Sequence, residues 1–254
     1  LTGSAFDDVL LGTAASDTLT GGAGDDRLGG RGGADHLYGG TGFDTADYSD
    51  AGSAIAVSLA SGTGSLGDAA GDTLDSIERV VGSAYDDVIA GSSSVDTLEG
   101  GAGADTITGA GGDDTLRGDA GDDVLDGGSG ADIIDGGAGT DTVDYSGSNF
   151  GVQVSLGGGG NFGGTAEGDT LTSIERVVGS GFADVLSGSA NADQLVGGSG
   201  DDVLRGSAGG DLLDGGLGTD TADYSLASAA VALDLTTGGT GGDAAGDSFA
   251  SIEI

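Results

Sequence analysis

The chain has 254 residues and a formal net charge of −37, set by 43 acidic and six basic side chains. Such acidity excludes nucleic acid as a partner, because the phosphate backbone would be repelled. The absence of Cys excludes disulfides and thiolate metal sites. No apolar run approaches the roughly 20 residues that membrane insertion requires.

Composition alone is typical of a disordered chain, because charge is high and aromatic residues make up only 4%. A strict sequence period argues otherwise. Nonapeptides run in register through residues 3–47, 82–144 and 179–223, in blocks of five, seven and five. The period predicts a repeat array that becomes ordered when its charge is neutralised.

All seventeen nonapeptides have Gly first and Asp sixth, and all but two have Leu, Ile or Val eighth. The exceptions are Ala46 and Ala222, both in the last repeat of a block. The first six residues predict a tight turn in which Gly supplies positive φ. Residues seven to nine predict a short strand with position eight pointing inward.

The first two turns of each block lack the Gly found at position four elsewhere. Position four holds Phe6, Tyr85 and Phe182 in the first turns, and Ala15, Ser94 and Asn191 in the second. We expect these turns to cap the roll, as terminal repeats often do. The alternative is that they are degenerate repeats without a role.

An insert of another kind follows each block, at residues 48–81, 145–178 and 224–254. Each begins with Tyr-Ser and continues with alternating apolar residues, which predict a half-buried strand. These residues are Ile55, Val57 and Leu59, then Val152, Val154 and Leu156, then Val231, Leu233 and Leu235. A Gly-rich loop follows, and the closing GDTLDSIERVV, GDTLTSIERVV or GDSFASIEI predicts another strand.

The blocks and inserts together predict three superrepeats, at residues 1–79, 80–176 and 177–254, that form one continuous solenoid. The odd numbers of repeats predict that every insert leaves from the same side of the roll. Because the ends are in phase and the chain has no Met, we expect an internal segment of a longer array.

The pattern GGxGxDxUx, in which U is a large aliphatic residue, resembles the RTX family of haemolysin-type calcium-binding repeats. Five nonapeptides in unbroken register, from Gly100 to Asp144, carry the resemblance most clearly. The resemblance implies an all-β fold, a right-handed parallel β-roll or β-solenoid with β-strand inserts between blocks. Two nonapeptides make one coil, so turns eighteen residues apart stack, and each Ca²⁺ lies between two stacked turns.

Backbone carbonyls of Gly-rich turns and the Asp carboxylates are hard oxygen donors, which suit Ca²⁺. The stacking predicts strong sites at Asp26 with Asp44, Asp105 with Asp123, Asp114 with Asp132, Asp123 with Asp141, and Asp202 with Asp220. Asp35 and Asp211 pair with the non-Gly turns of Asp17 and Asp193, which predicts incomplete sites. The number of ions expected is about five to eleven. The Gly residues assigned to the sites are Gly24, Gly42, Gly103, Gly112, Gly121, Gly130, Gly139, Gly200 and Gly218.

Two further groups of acids are open to interpretation. The position-five carboxylates of Asp25, Asp113, Asp122 and Asp201 are interpreted as facing solvent. The insert acids could bind extra ions in their loops or serve no such role; they are Asp68, Asp72, Glu167, Asp169, Asp243 and Asp247.

No catalytic constellation is present, so we expect no enzyme activity. The only histidine, His36, lies at an outward position, and no second His could activate a Ser or Thr. The hypothesis favoured by the sequence is a secreted, calcium-folded structural segment of an extracellular filament, surface layer or adhesin. We expect like segments to join end to end or laterally, and the resemblance implies type I secretion. The alternative is the calcium-dependent module of a secreted protease, lipase or alginate epimerase with catalysis encoded elsewhere.

Overall fold

The computed structural model describes all 254 residues, which form 27 short β-strands and three 3₁₀ helices with no α-helix. The all-β class predicted from the repeats is therefore confirmed. No helix is long and apolar enough to cross a membrane. The chain divides into two compact units, residues 1–127 with 133–139 and residues 128–132 with 140–254, and each is described by itself.

The first sheet of the first unit is wholly parallel and contains seven strands. In spatial order they are β1 (Val9–Leu11), β3 (Arg27–Gly29), β5 (Thr45–Asp47), β9 (Arg79–Val81), β11 (Thr97–Ala102), β13 (Thr115–Ala120) and β15 (Ile133–Ala138). Within a block, Leu10 lies opposite Leu28 and Leu98 opposite Leu116. This register confirms that eighteen residues make one coil.

The second sheet of this unit contains the intervening repeat strands and three strands of the first insert. In spatial order they are β2 (Thr18–Ala23), β4 (His36–Thr41), β8 (Thr73–Asp75), β7 (Thr63–Leu66), β6 (Ala56–Ser58), β10 (Val88–Ala90), β12 (Thr106–Thr108) and β14 (Val124–Asp126). Only β7 is antiparallel to its neighbours. The alternating segment of the insert thus forms β6, with Ile55 and Val57 buried, as predicted.

The end of the first insert supplies two roll strands, one to each sheet. Leu74 in β8 lies opposite Leu37, and Val80 in β9 lies between Ala46 and Leu98. Five repeats and two insert strands make seven, so the second block begins in the opposite sheet from the first. The prediction that every insert leaves from the same side is therefore wrong.

The second unit repeats this organisation. One parallel sheet contains β16 (Thr142–Asp144), β19 (Arg176–Val178), β21 (Gln194–Ser199), β23 (Leu212–Leu217) and β27 (Ser248–Ala250). Another contains β17 (Gln153–Ser155), β20 (Val185–Ser187), β22 (Val203–Arg205) and β24 (Thr221–Ala222). The second insert also contains β18 (Thr170–Thr172), and β25 (Ala232–Asp234) pairs antiparallel with β26 (Gly238–Thr240). Each insert includes one 3₁₀ helix, at Gly67–Ala69, Gly164–Ala166 and Gly242–Ala244.

The third insert departs from the predicted burial. Val154 in the second insert is covered because β17 pairs with β20, the first strand of the next block. By contrast, β25 pairs only with β26, and Leu233 and Leu235 are each 45% exposed. The half-buried strand predicted there is therefore present as a strand but not half-buried.

The position-eight side chains form the core, as predicted. Those of the second block, for example, are at most 1% exposed from Ile89 to Val143. Each buried aliphatic side chain contributes roughly 2 kcal/mol. This column of side chains sets the register that stacks the turns.

Candidate metal sites

The seventeen turns fall into two conformational classes. In eleven of them, positions two and four both have left-handed φ; before Asp105, for example, Gly101 has φ 105° and Gly103 has φ 114°. These are the turns of the eleven Asp residues assigned to calcium. Gly33 and Gly209 share this conformation, with φ 129° and 145°, although the sequence interpretation left them out of the sites.

The position-six carboxylates of these eleven turns are all at most 1% exposed. They are Asp26, Asp35, Asp44, Asp105, Asp114, Asp123, Asp132, Asp141, Asp202, Asp211 and Asp220. Their burial follows from the inward position eight two residues later, which fixes the strand against the core. Buried carboxylates of this number need compensation, because an ionised group buried without partners is strongly destabilising.

One oxygen of each stacked carboxylate takes part in a ladder. The backbone N–H of Asp26 donates to Oδ1 of Asp44 at 2.8 Å, and the N–H of Asp105 donates to Oδ1 of Asp123 at 2.8 Å. The N–H of Asp202 donates to Oδ1 of Asp220 at 2.9 Å. Three of the five strong pairs are therefore stacked as expected, and metal binding at them stays a prediction.

Two further Asp pairs, which involve turns without Gly at position four, are stacked in the same way. Asp17 stacks on Asp35, and Asp193 on Asp211, through the same backbone bond. The remaining two pairs, Asp114 with Asp132 and Asp123 with Asp141, join residues of different units and stay predictions.

The second oxygen of seven of these carboxylates is buried without a hydrogen-bond partner. Almost all buried polar atoms in proteins are paired, so orphans in a repeated position require an explanation such as an ion. They are Oδ2 of Asp26, Asp35, Asp44, Asp105, Asp202, Asp211 and Asp220.

Backbone carbonyls converge on the same place as these Oδ2 atoms. A Cβ built on Gly21 would lie 2.2 Å from Oδ2 of Asp26 and 2.7 Å from the carbonyl oxygen of Gly39. Real Cβ atoms do not approach so closely, so only Gly fits at position one. A carboxylate and a carbonyl from stacked turns thus face one space, and hard oxygens are the donors that Ca²⁺ takes.

No group of three or more His, Cys, Asp or Glu side chains is arranged to hold a metal. An ion in these turns would therefore rely on carbonyls with one carboxylate from each turn. The donor set fits Ca²⁺, which accepts about 6–8 oxygens in flexible geometry, better than it fits a transition metal.

Burial raises the pKa of Asp105 to about 7, and the charges of Asp123 and Asp87 add to the effect. Burial is also the main cause that raises the pKa of Asp202 and of Asp211 to about 6. The pKa values of Asp35 and Asp44 are raised as well, again chiefly by burial. A cation beside these groups would reverse the shift by favouring the ionised form.

The six remaining turns satisfy their carboxylates without a metal. Position two is Ser or Thr in all six, and its backbone N–H donates to Oδ2 of the turn's own Asp. In the turn of Asp87, Ser83 donates its N–H at 2.6 Å and its hydroxyl at 2.9 Å, and Ile55 of the insert donates its N–H at 2.7 Å. These turns therefore differ from the Gly-rich turns in how their carboxylates are paired.

The aromatic residues at position four of the first turns are exposed. Phe6, Tyr85 and Phe182 are 78%, 47% and 49% exposed. In all six turns the Ser or Thr hydroxyl of position two also accepts the N–H of the non-Gly residue at position four. That these turns cap the roll stays a prediction.

The stacked Asp carboxylates form one ladder along each edge of the roll, and each insert adds a carboxylate to both ladders. On one edge the added residue is an Asp. The backbone N–H of Asp35 donates to Asp72 at 2.8 Å, that of Asp132 to Asp169 at 3.0 Å, and that of Asp211 to Asp247 at 2.9 Å. The other carboxylate oxygen accepts a tyrosine hydroxyl, from Tyr48 at 3.0 Å, Tyr145 at 2.8 Å and Tyr224. Asp68, Glu167 and Asp243, the other insert acids, are not buried.

On the other ladder the insert residue is a Glu that the sequence interpretation missed. Asp44, Asp141 and Asp220 donate their backbone N–H to Glu78, Glu175 and Glu253, at 2.9, 3.0 and 2.8 Å. The recurrence of SIE at the same place in all three inserts was the available signal.

The solvent-facing residues agree with the sequence interpretation. Asp25, Asp113, Asp122 and Asp201 are exposed. Two of them also accept a backbone N–H from the next turn, Asp25 from Phe43 and Asp201 from Thr219. His36 is exposed and stacks on Tyr38, with ring centroids 6.1 Å apart.

Parallel strands of eighteen-residue register, joined by Gly-rich turns with buried Asp carboxylates, define a β-roll of the calcium-binding class. The sequence model of the RTX calcium-binding nonapeptide repeat family contains four copies of the repeat. It matches residues 2–37, 11–46, 72–107, 108–143, 169–204 and 187–222 of this chain. Because these matches cover more than half of the chain, the chain belongs to the RTX calcium-binding repeat family. Two matches begin at Asp72 and Asp169, so they include the ends of the inserts. A search of curated proteins found no match.

Proposed function

We propose that this chain is a structural segment of a secreted protein that folds when it binds Ca²⁺ and that works in an extracellular filament, surface layer or adhesin. The observation that carries the proposal is the set of seven buried Oδ2 atoms without hydrogen-bond partners. They recur at one turn position, and five of them, those of Asp26, Asp44, Asp105, Asp202 and Asp220, face a backbone carbonyl. The predicted site residues are the ligands of this proposal.

Calcium binding and folding are coupled in this proposal. A chain with a net charge of −37 repels itself, and the repeat stacks its buried carboxylates eighteen residues apart. Metal sites that do not exist in the unfolded chain transfer their binding free energy to folding. At neutral pH, where these carboxylates are ionised in the unfolded chain, we expect the Gly-rich turns to form only as the ions bind.

The metal also supports an extracellular location. Extracellular modules can use calcium sites with Kd near 10⁻⁴–10⁻³ M, on the order of calcium outside cells. Such sites would stay empty in the cytosol. An acidic chain without Cys that remains unfolded until export suits the type I secretion that family membership suggests.

A structural role is supported over catalysis by what the polar side chains do. Turn hydroxyls of Ser83, Ser92 and Ser180 bind their neighbouring carboxylates. His36 stacks on Tyr38 at the surface. Nδ1 of His36 also forms a hydrogen bond with the Thr73 hydroxyl, so this ring is engaged in contacts at the surface.

End-to-end joining of like segments is part of the proposal. In the first unit, β1 is an edge strand with Val9 67% and Leu11 44% exposed. In the second unit, Leu233 of β25 is exposed where the equivalent Val154 is covered by the first strand of a repeat block. Exposed strand edges template further pairing, and the first strand of a like segment fits this place.

Analytical ultracentrifugation and electron microscopy of the chain, each with Ca²⁺ and after chelation, test the assembly. We expect concentration-dependent thin fibres or sheets that dissolve when calcium is removed. A calcium-loaded chain that stays monomeric at every concentration would contradict end-to-end joining. A parent protein with an adjoining hydrolase domain would favour a calcium-dependent module of a secreted enzyme instead.

A further inference from the structure

The end of each insert contains a shortened turn that takes the place of a Gly-rich turn. In the first insert, only Ser76 and Ile77 separate β8 from Glu78, whereas a repeat has five residues before its Asp. The strand after this turn, β9, nevertheless lies in full register between β5 and β11. The shortened turn therefore stacks directly on the turn of Asp44.

Glu78 occupies the position of the next carboxylate in the ladder. Asp44 donates its backbone N–H to Oε2 of Glu78 at 2.9 Å, as Asp26 donates to Oδ1 of Asp44 at 2.8 Å. The Glu side chain, one methylene longer than Asp, reaches this position from a shorter turn.

Ser76 supplies the carbonyl of the missing turn. A Cβ built on Gly39 would collide with the carbonyl oxygen of Ser76 and would lie 2.5 Å from Oδ2 of Asp44. Within a block, the carbonyl of a position-one Gly has this place, as Gly127 does beside Gly109. Ser76 has φ 54°, a left-handed conformation that few non-Gly residues adopt.

An unpartnered atom points into this space. Oδ2 of Asp44 is fully buried and has no hydrogen-bond partner. Asp44 is the last repeat carboxylate of its block, so no Gly-rich turn follows it to complete a site. The oxygens of Ser76 and Glu78 in the insert stack on this side of it.

We propose that Asp44, the Ser76 carbonyl and Glu78 hold a Ca²⁺ ion that closes the ladder at the end of the block. This inference rests on the proposed function, because it assigns a further site to the same ion. The arrangement recurs in the third insert, where Ser251 has φ 51° and its carbonyl would collide with a Cβ on Gly215. There Oδ2 of Asp220 is buried without a partner, and Glu253 accepts the N–H of Asp220 at 2.8 Å.

At the opposite edge of the roll, the insert carboxylate is paired differently. Asp72 accepts the N–H of Asp35 and the hydroxyl of Tyr48, so both of its own oxygens are paired by protein groups. Glu78 accepts the N–H of Asp44 but no tyrosine hydroxyl.

The test is the number of calcium ions bound by the full chain and by Glu78→Gln, counted by native mass spectrometry over a calcium titration. Gln keeps an acceptor for the N–H of Asp44 and removes only the charge. The control for loss of one charge is Asp234→Asn, because Asp234 also accepts a backbone N–H, from Thr236 at 2.8 Å, but is exposed and belongs to no repeat turn.

We expect Glu78→Gln to bind one ion fewer than the wild type, and Asp234→Asn to bind the same number. An unchanged number and affinity in Glu78→Gln would overturn the site while leaving the calcium-folding proposal intact. A wild-type chain that binds no calcium would overturn both. Glu253→Gln, at a site outside the first unit, decides the question in the same way if Glu78→Gln does not fold.

Discussion

Replacing Tyr48 with Phe should destabilise the first unit through a single lost hydrogen bond. The Tyr48 hydroxyl donates to Oδ2 of Asp72 at 3.0 Å, and the two residues are 2% and 1% exposed. Phe keeps the ring, so no cavity forms. A hydrogen bond to a charged group contributes roughly 1.5–3 kcal/mol, so we expect a loss of about 2 kcal/mol near neutral pH.

The loss should shrink in acid. Burial raises the pKa of Asp72 to about 6, so below that value the carboxyl is protonated. The substitution then removes a hydrogen bond between two neutral groups, which contributes about 1 kcal/mol. The pH dependence separates this bond from a packing effect of the ring.

Thermal unfolding in saturating Ca²⁺, followed by calorimetry, measures the effect. For a chain of this size about 2 kcal/mol corresponds to a decrease in Tm of roughly 4–8 °C. The control is Tyr38→Phe, because Tyr38 is 42% exposed and such surface changes shift stability by less than about 0.5 kcal/mol. Equal Tm values for the two variants at neutral pH would refute the reasoning.

Three further predictions concern the turns. Asp105→Asn should reduce the number of bound calcium ions, whereas Asp87→Asn should leave it unchanged, because Ser83 and Ile55 already donate hydrogen bonds to Asp87. Isothermal titration calorimetry of both variants checks this, and an equal loss of ions would contradict the division into two classes of turn. Burial raises the pKa of Asp105 to about 7, so protonation stabilises the calcium-free folded chain below the unfolded pKa, and this stabilisation is lost as pH rises through about 7. Circular dichroism of dialysed protein should therefore show more structure near pH 4.5 than near pH 8, and calcium should bind more weakly in acid. The opposite trend would contradict the assignment. Ala110→Gly should raise stability by about 1 kcal/mol, because Ala110 has φ 77° and left-handed backbone disfavours a Cβ by roughly 1–2 kcal/mol; a lower Tm at saturating calcium would show that the side chain contributes more than the strain removes.

The period of the sequence was enough to predict the repeat strands, because the same constraint acts on every nonapeptide. Asp fixes the end of each turn, and an aliphatic residue two positions later must face the core. Leu98 opposite Leu116 is the direct consequence. The eleven carboxylates assigned to calcium were identified by the same local rule.

The inserts were less predictable, because the residues that they bring into contact are not separated by the eighteen residues of a repeat coil. Asp35 meets Asp72 across 37 residues, and Asp44 meets Glu78 across 34. The reversed strand β7 and the shortened turn at Ser76 set these distances, and neither has a repeat signature. Position two is Ser or Thr in seven turns, and one of them, with Ser207, is a Gly-rich turn, so the role of this residue depends on hydrogen bonds such as that from Ser83 to Asp87.

Calcium-dependent folding itself is tested most directly by far-ultraviolet circular dichroism of the full chain during calcium removal and return. The account predicts loss of the β-type spectrum when calcium is removed at neutral pH, because buried carboxylates such as Asp26 and Asp105 lose the cation that compensates them. Added Ca²⁺ should restore the spectrum. A β-type spectrum of equal intensity with and without calcium would contradict it.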